Sequence, residues 1–470
     1  MFIVYHEDEY KPSSHPNTAI ERMEIAIVHK QNKFSGGFSM KRYMGHFLVL
    51  MAVAMVMTVT PPVLATAMEL SVEDSIALAL QNNYDFKYAK SAREKSYWAL
   101  ESARKNKGLS LDFTHTDQRY NTPPAETGTA TYEYTTNFEN QIALTVPLYS
   151  GGKLENQIKQ AALDLKVADL EVEAAKQQLK LTVVSNYLAA LEYRNEVRVN
   201  QETVRNYEEH LALVKDKFEL GLVAKTDVLS SQVDLASAQD NLVKANNNYT
   251  NAVAALNNVI GLPHITEVTL KDEFVYEKYP KTLEECLQYA VEHRPELVQY
   301  EAKIASANYD VDIAKSGRRP TVDLTAAQGW YDSQLIGSKN SNWLVKLTTS
   351  INLFDTGLTD ANVKQARHNV DMVLSKADQQ RDTILLNVRE YYLSMQEDEK
   401  RIDSNKVSVH YAEESLMIQK VRYEAGVGTN LDLRDAVLAL DSAQKDYIQA
   451  LYDYNLNKVK LEQAMGLPVQ

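Results

Sequence analysis

The longest regular pattern in the chain is a coiled-coil spacing of apolar residues. No proline interrupts residues 152–219. Apolar side chains recur there in steps of three and four: Leu181, Val184, Leu188 and Leu191. Such steps place apolar side chains on one stripe, by which helices pack side by side in coiled coils. At a rise of 1.5 Å per residue, the stretch predicts one helix about 100 Å long.

A second pattern, alternation of apolar and polar residues, predicts strands ahead of the long helices. In residues 142–148 every second side chain is large and apolar, and in residues 343–353 one face is apolar and the other polar. Alternation is typical of a strand with one buried face. Residues 109–113 and 322–324 begin two partner strands. A half-buried sheet of a soluble protein would show the same alternation.

The same order of sequence patterns occurs twice along the chain. At an offset of 205 residues, Gly221 aligns with Gly426 and Asp227 with Asp432, without a gap from residue 147 onwards. Upstream of the strands the offset is 211, so a six-residue difference falls in a surface loop, with 121–128 as the candidate segment. Each copy therefore predicts helix, strand, loop, strand, very long helix, turn, helix.

The two copies define the predicted boundaries. The first copy takes residues 68–263 and the second takes residues 282–470, with a linker at 264–281. The predicted fold class is mainly α, with long antiparallel coiled-coil helices and four β-strands per chain.

Each copy has a turn between its last two helices. Gly221 and Gly426 supply the positive φ with which helices commonly end. Thr226 and Asn430 are predicted as N-caps of the returning helices. Each turn therefore closes an antiparallel hairpin whose tip lies at the far end of the long helix from the strands.

The amino-terminal region carries an export signal. Lys41 and Arg42 follow Met40, an apolar run covers residues 47–59, and Ala-Thr-Ala ends at residue 67. This predicts a cleaved signal peptide at 40–67, because the run is shorter than the roughly 20 residues of a membrane span. Residues upstream of Met40 fit no signal, which suggests a start codon assigned too early.

No later apolar run is long enough for a membrane helix, so the exported chain is either soluble or crosses a membrane as strands. Strands of about 10 residues suit a membrane β-barrel. Four strands cannot close a barrel, which needs at least roughly eight. Chains would therefore share one barrel, and three copies would give twelve strands. A soluble helical bundle stays open as an alternative.

Composition excludes several other classes of function. The chain has 50 Lys+Arg against 63 Asp+Glu, a net charge of −13, so no basic field favours nucleic acid. Its one cysteine, Cys286, offers no disulfide framework. The sequence has no His-x-x-x-His pair, phosphate-binding glycine loop or nucleophile elbow. We therefore predict no enzyme activity, no metal and no cofactor.

Taken together, these features resemble the TolC-type outer-membrane efflux protein family. The resemblance rests on the duplicated plan, the Pro-Leu-Tyr-Ser-Gly-Gly junction at 147–152, its counterpart at 352–357, both hairpin tips and both Gly-Leu-Pro helix ends. It implies a homotrimer with a twelve-stranded β-barrel in outer-membrane lipid, continued by an α-helical barrel through the periplasm. It also implies a periplasmic adaptor protein and an inner-membrane transporter as partners.

The resemblance also places functional residues at the tips. Asp432 and Asp435 match the carboxylates of the periplasmic aperture, and Asp227 and Tyr423 match a pair that ties the hairpins in the closed state. The arginine of the family's closing salt bridge falls at Gly428 here. The adaptor-docking residues implied at the two tips are Gly221, Leu222, Val223, Thr226, Gly426, Val427, Gly428 and Thr429. Acidic residues in the first turn of a helix are also favoured by the helix dipole, whatever their function.

The function implied is a passive exit duct of a tripartite efflux pump. One alternative is the same duct serving type I protein secretion. An alternative from another class is a periplasmic coiled-coil structural or adhesion protein that conducts nothing.

Overall fold

The structure is a computed structural model that describes residues 68–122, 133–335 and 339–468, all within one unit, Thr66–Gln470. In chain order the elements are β1 (Met68–Leu70), α1 (Val72–Asn82), α2 (Tyr84–Lys105), β2 (Ser110–Thr122), β3 (Glu133–Tyr149), α3 (Lys153–Glu219), α4 (Lys225–Ile260), β4 (Val268–Leu270), α5 (Leu283–His293), α6 (Pro295–Lys315), a 3-10 turn (Ser316–Arg318), β5 (Thr321–Asp332), β6 (Asn340–Ser350), α7 (Leu358–Glu424) and α8 (Asn430–Met465). The predicted signal peptide, the upstream extension and most of the predicted variable loop lie outside these ranges. Among the helices described, none has the length and apolar content that a membrane span requires.

The long helices form as predicted, and their lengths match between the two halves of the chain. Helices α3 and α7 each contain 67 residues, and α4 and α8 each contain 36. Both long helices begin at a left-handed glycine, Gly152 with φ 88° and Gly357 with φ 91°. A positive φ costs glycine nothing, so the chain turns sharply from the sheet region into each helix.

The four predicted strands form one antiparallel sheet in the order β2-β3-β5-β6. Its register aligns apolar residues on one face: Leu111 pairs with Leu144, Leu144 with Ala326, and Ala326 with Val345. Leu111 and Val345 are exposed in the single chain, 65% and 60% respectively. One face of the sheet is therefore an exposed apolar surface. Within the described residues, β2 and β6 each pair along one edge only.

The single helix predicted ahead of each strand pair was wrong, because two helices occupy each place. Helix α1 ends at Asn82, and the extended backbone of the next residue, Asn83, lets its side chain accept a hydrogen bond from the Phe86 amide and cap α2. Helix α5 ends at His293, and the extended residue Arg294 separates it from Pro295, the first residue of α6. Proline disfavours helical backbone in the residue before it and is well tolerated at the first helical position.

The structure also contains a short sheet that the sequence analysis missed. Strands β1 and β4 pair in parallel over three residues each, and β4 lies in the segment predicted as a linker. Three residues are too few to show an alternation pattern. Two polar side chains of α3 hold this sheet. The Tyr187 hydroxyl donates to the Leu70 carbonyl at 3.0 Å, and Arg194 donates to the Leu270 carbonyl at 2.8 Å.

The apolar core is concentrated around the middle of the two long helices. One cluster surrounds α3 near Val183 and Leu191 and includes residues of α1, α4, β1 and β4. A second surrounds α7 near Val388 and Met395 and includes residues of α5 and α8. Two smaller clusters lie closer to the tips and contain residues from both hairpins.

Replacing Tyr187 by phenylalanine is expected to lower the free energy of unfolding by about 1–3 kcal/mol, because it removes a buried hydrogen bond to the Leu70 carbonyl and leaves the Asp272 amide without the hydroxyl it donates to. The Tyr187 side chain is fully buried, and its hydroxyl also accepts from the Asp272 amide at 3.3 Å. Burial raises the pKa of this phenol, so it stays a donor at neutral pH. Thermal unfolding followed by helical circular dichroism measures the loss.

The matched control is Tyr392→Phe, 205 residues later in the chain. Tyr392 is only half-buried and makes a longer bond, 3.3 Å, to the Lys281 carbonyl. Its loss is expected to cost less than about 1 kcal/mol. Equal losses in the two variants would contradict a special role for Tyr187 in holding β1 against β4.

Candidate functional site at the hairpin tips

Both tips reverse the chain with the same backbone hydrogen bonds. Gly221 has φ 72° and Gly426 has φ 77°, which confirms the predicted left-handed residue at each helix end. The Leu222 amide donates to the Lys217 carbonyl, and the Val427 amide to the Arg422 carbonyl, each at 2.9 Å. This 6→1 bond satisfies a carbonyl at the helix end that would otherwise lack a partner. Each long helix therefore stops cleanly at its glycine.

The predicted N-caps, Thr226 and Asn430, were wrong. Helix α4 starts at Lys225 after Ala224, and α8 starts at Asn430 after Thr429. In both α4 and α8 the third residue is an aspartate that accepts a hydrogen bond from the backbone amide of the N-cap residue, which stabilises the helix start at that place. Asp227 accepts from the Ala224 amide at 3.2 Å, and Asp432 accepts from the Thr429 amide at 3.1 Å. The Thr-x-x-Asp spacing of the second tip is a visible capping-box signature.

Asp432 has a structural role in the single chain. Its carboxylate accepts one hydrogen bond from the Thr429 hydroxyl at 2.7 Å and a second from the Thr429 backbone amide at 3.1 Å. These bonds from the Thr429 side chain and backbone lower the pKa of Asp432. Asp435 lies one turn further along α8, and both side chains are exposed. The two carboxylates therefore share one accessible face of the helix and form no hydrogen bond with each other.

Asp227 and Tyr423 lie near each other without a direct hydrogen bond. The Tyr423 side chain is buried, and its hydroxyl has no hydrogen-bond partner within the described residues. Burial raises the pKa of Tyr423, and the charge of Asp227 raises it further. The Asp227 carboxylate is occupied by the cap of α4. Asp227 therefore acts on Tyr423 through its charge alone, and the Tyr423 hydroxyl donates to no acceptor among the described residues.

The remaining tip residues divide into an exposed and a packed group. Leu222 and Val427 are 68% and 69% exposed, while Val223 packs against a small apolar cluster around Val214 and Tyr423. The two exposed apolar side chains stand at the same place in each turn. Single exposed apolar residues are common on proteins, but a matched pair on two adjacent tips is a surface suited to protein contact.

Gly428 closes the second tip tightly. A Cβ atom at this position would lie 3.1 Å from the Tyr423 nitrogen and 3.2 Å from Arg422 backbone and side-chain carbons. Such contacts require neighbouring atoms to move by a few tenths of an ångström. A side chain at residue 428 would therefore crowd the end of α7 unless those atoms shift. The glycine fits the turn observed here and removes a positive charge from it.

Contacts between the two hairpins were missed by sequence reasoning. The Lys217 ammonium donates to the Tyr423 carbonyl at 2.6 Å and lies 4.8 Å from the Tyr423 ring centroid. It thereby places a cation at the carboxyl end of α7, where the helix dipole favours one. Arg434 of α8 forms an ion pair with Asp234 of α4 at 2.5 Å. These partners lie about 200 residues apart in the sequence, and no local pattern links them.

Other ligand chemistry is sparse in the described part of the chain. No group of three or more His, Cys, Asp or Glu residues is placed there to hold a metal ion. Cys286 is buried in the core around α7. The hairpin tips, which combine charged groups with exposed apolar side chains, are therefore the candidate site.

The paired long hairpins, the four-stranded sheet and the tips together define a class of outer-membrane protein. The chain belongs to the outer membrane efflux protein family, whose model matches residues 75–262 and 286–467. Its location is the outer membrane, with an extension into the periplasm.

Within this family, the chain is similar in sequence to two curated relatives and in fold to one solved structure. It is 25% identical over 313 residues to outer membrane protein TolC of Escherichia coli, a match covering 64% of this chain and 64% of that relative. It is 25% identical over 324 residues to the alkaline protease secretion protein AprF of Pseudomonas aeruginosa, covering 68% and 67% of the two chains. The outer membrane channel CmeC of Campylobacter jejuni has the same fold, with a TM-score of 0.75 at 20% identity over 84% of this chain and 85% of its own.

Proposed function

We propose that three copies of this chain form an exit duct in the outer membrane, as part of a tripartite efflux pump. Each copy contributes four strands to a shared twelve-stranded β-barrel. The α3–α4 and α7–α8 hairpins continue the duct into the periplasm as an α-helical barrel. The duct conducts passively, with no catalytic residue and no cofactor. A periplasmic adaptor docks on the tips, and an inner-membrane transporter supplies energy and selectivity.

The observation that carries this proposal is the four-stranded sheet with its exposed apolar face. In lipid, an apolar face is favourable, while the unpaired backbone groups of β2 and β6 would be costly. Four strands are too few to close on themselves, since membrane barrels need at least roughly eight. Pairing the free edge of β2 with β6 of a neighbouring copy would satisfy both edges.

The tips are the proposed gate and docking surface. Three copies would gather six carboxylates from Asp432 and Asp435 at the entrance, which would attract cations. Asp227 and Tyr423 lie where one hairpin meets the other and would respond when the hairpins separate. The exposed side chains of Leu222 and Val427 would meet the adaptor. Two tips per chain give six quasi-equivalent docking positions in a trimer.

A second candidate function is type I protein secretion through the same duct. The match to AprF, whose name assigns it to alkaline protease secretion, favours this possibility. Gene deletion separates the two functions. Accumulation of small toxic compounds would support efflux, and loss of a protein from the culture medium would support secretion.

The purified protein is expected to be a trimer that produces discrete conductance steps in a planar lipid bilayer, because a shared barrel encloses a water-filled path. Native mass spectrometry in detergent gives the stoichiometry, and single-channel recording gives the conductance. A trimer without conductance would favour the non-conducting coiled-coil or adhesion protein. A stable monomer would contradict the shared barrel itself.

A further inference from the structure

A buried histidine connects the two hairpins close to their tips. His210 lies on α3 and is 4% exposed. Its Nε2 atom is 2.5 Å from Oδ1 of Asn430, the first residue of α8. Its ring packs edge-on against Tyr423 of α7, with centroids 5.3 Å apart. One side chain of the first hairpin thus contacts both helices of the second.

The contact continues as a relay into α4. The Asn430 amide nitrogen donates to the Ser230 hydroxyl at 3.3 Å, and that hydroxyl donates to the Asp227 carbonyl at 3.0 Å. Because the Asn430 amide nitrogen faces Ser230, its oxygen faces His210 and can only accept a hydrogen bond. Nε2 of His210 must therefore be the protonated, donating ring nitrogen. Nδ1 is buried and has no partner within the described residues. The neutral ring completes the relay, whereas a second proton on Nδ1 would have no acceptor.

We propose that the relay of His210, Asn430 and Ser230 is an acid-sensitive latch that holds the two hairpins of one chain together. The latch rests on the proposed channel function and supplies a tie that Gly428 does not. With His210 neutral, α8 stays against α3 and the entrance stays narrow. With His210 protonated, the buried ring favours water, the second hairpin moves away from the first, and the entrance widens.

The charged groups that face His210 offset each other, so burial sets the direction of its pKa shift. Asp234 of α4 and Arg434 of α8 act on the ring with opposite signs, and they are paired with each other. The ring also packs against the neutral phenol of Tyr423 on α7, and the Lys217 ammonium lies 4.8 Å from the centroid of that phenol ring. Burial has the largest effect and lowers the pKa of His210 from its ordinary value of 6.5.

The sign of the pH dependence follows from that lowered pKa. A released His210 in water takes up a proton near pH 6.5, while the docked ring resists it to a lower pH. The latch is therefore fully effective above that pH and weakens as the pH falls below it. Between the two pKa values, the ratio of docked to released hairpins changes by up to about tenfold per pH unit.

The test measures the separation of the tips directly. Spin labels on Leu222→Cys and Val427→Cys report it by electron–electron double resonance, because both positions are exposed while the native Cys286 is buried. Labelled chains are assembled with an excess of unlabelled chains, so that distances within one chain dominate. Wild type is expected to show one short distance at about pH 7.5 and a growing longer population at about pH 5.

Three variants make the test specific. His210→Gln keeps an amide donor near the position of Nε2 but cannot titrate, so it is expected to give the short distance at both pH values. His210→Leu removes the donor and is expected to give the longer distance at both. His410→Gln, at an exposed histidine of α7, is expected to behave as wild type. If His210→Leu does not assemble, wild type and His210→Gln still decide the question.

The outcomes also separate the latch from the channel. A wild-type distance that does not change with pH, or a His410→Gln variant that loses the response, would overturn the latch even in a conducting protein. A pH-dependent distance that His210→Gln abolishes would establish the latch. If that protein conducts nothing, the channel proposal fails, and the relay is established only as a pH-dependent contact between the two hairpins.

Discussion

In the proposed channel, replacing Asp432 and Asp435 together by asparagine is expected to remove most of the preference for cations that their charges would give, without lowering the stability of the fold. Both carboxylates are exposed, and Thr429 lowers the pKa of Asp432, so that carboxylate stays charged at neutral pH. An asparagine oxygen can still accept the two bonds from Thr429 and preserve the cap of α8. The reversal potential of bilayer currents in a salt gradient measures the selectivity.

Two controls separate charge from capping. Asp432→Ala removes the charge and the two bonds that the carboxylate accepts from Thr429, while the Asp432 amide still donates to the Thr429 hydroxyl. It is expected to cost about 1 kcal/mol of stability. Asp240→Asn removes an exposed charge from α4, where Asp240 pairs with Lys244 of the same helix, and is expected to leave the reversal potential unchanged. An unchanged reversal potential in the double asparagine variant would mean that Asp432 acts as a helix cap and Asp435 as a solvated residue only.

Replacing Gly261 by alanine is expected to destabilise the protein by several kcal/mol, far more than the same change at Gly221. Both glycines have positive φ, 77° and 72°, so each variant bears a backbone cost of roughly 1–2 kcal/mol. At Gly261 the new Cβ would also lie 2.5 Å from the Cβ of Asn82, whereas at Gly221 nothing lies within 4 Å. Relieving that contact means moving α1 away from α4, and overpacking of this kind costs about 1–3 kcal/mol more.

Thermal unfolding of the two variants side by side measures the difference. Gly466→Ala adds a third point, because its Cβ would lie 3.0 Å from the His293 carbonyl, an intermediate degree of crowding. The expected order of stability is Gly221→Ala, then Gly466→Ala, then Gly261→Ala. Equal losses at all three would mean that backbone strain alone sets the cost and that the close approach of the helices contributes nothing.

The sequence predicts what local patterns encode. The long helices follow from apolar spacing without proline, the four sheet strands from alternation, and the helix ends at Gly221 and Gly426 from the need for positive φ. Asn83 divides a helical pattern that reads as continuous, because the preference of asparagine for a cap over a helix interior is too weak to mark a boundary by itself. Strands β1 and β4 were not predicted, because three residues are too few to show an alternation of apolar and polar positions.

The tip was only partly predictable, for a different reason. Asp432 and Asp227 were found as candidates, but their capping bonds show that each is also needed to start a helix. The pairing of His210 with Asn430 spans 220 residues, and that of Arg434 with Asp234 spans 200. Such pairs arise only when the two hairpins pack together. A buried histidine and an exposed one look the same in the sequence.

The two hairpins are equally long, because α3 has as many residues as α7 and α4 has as many as α8. One residue inserted into α3 alone would push that tip about 1.5 Å beyond its neighbour and rotate its side chains by about 100°. The six-residue difference between the halves falls at the strand loops, where it leaves the tips level. A change in helix length that keeps the tips level would have to occur in both hairpins at once. The distance of the tips from the sheet is thereby set by the number of residues in the helices.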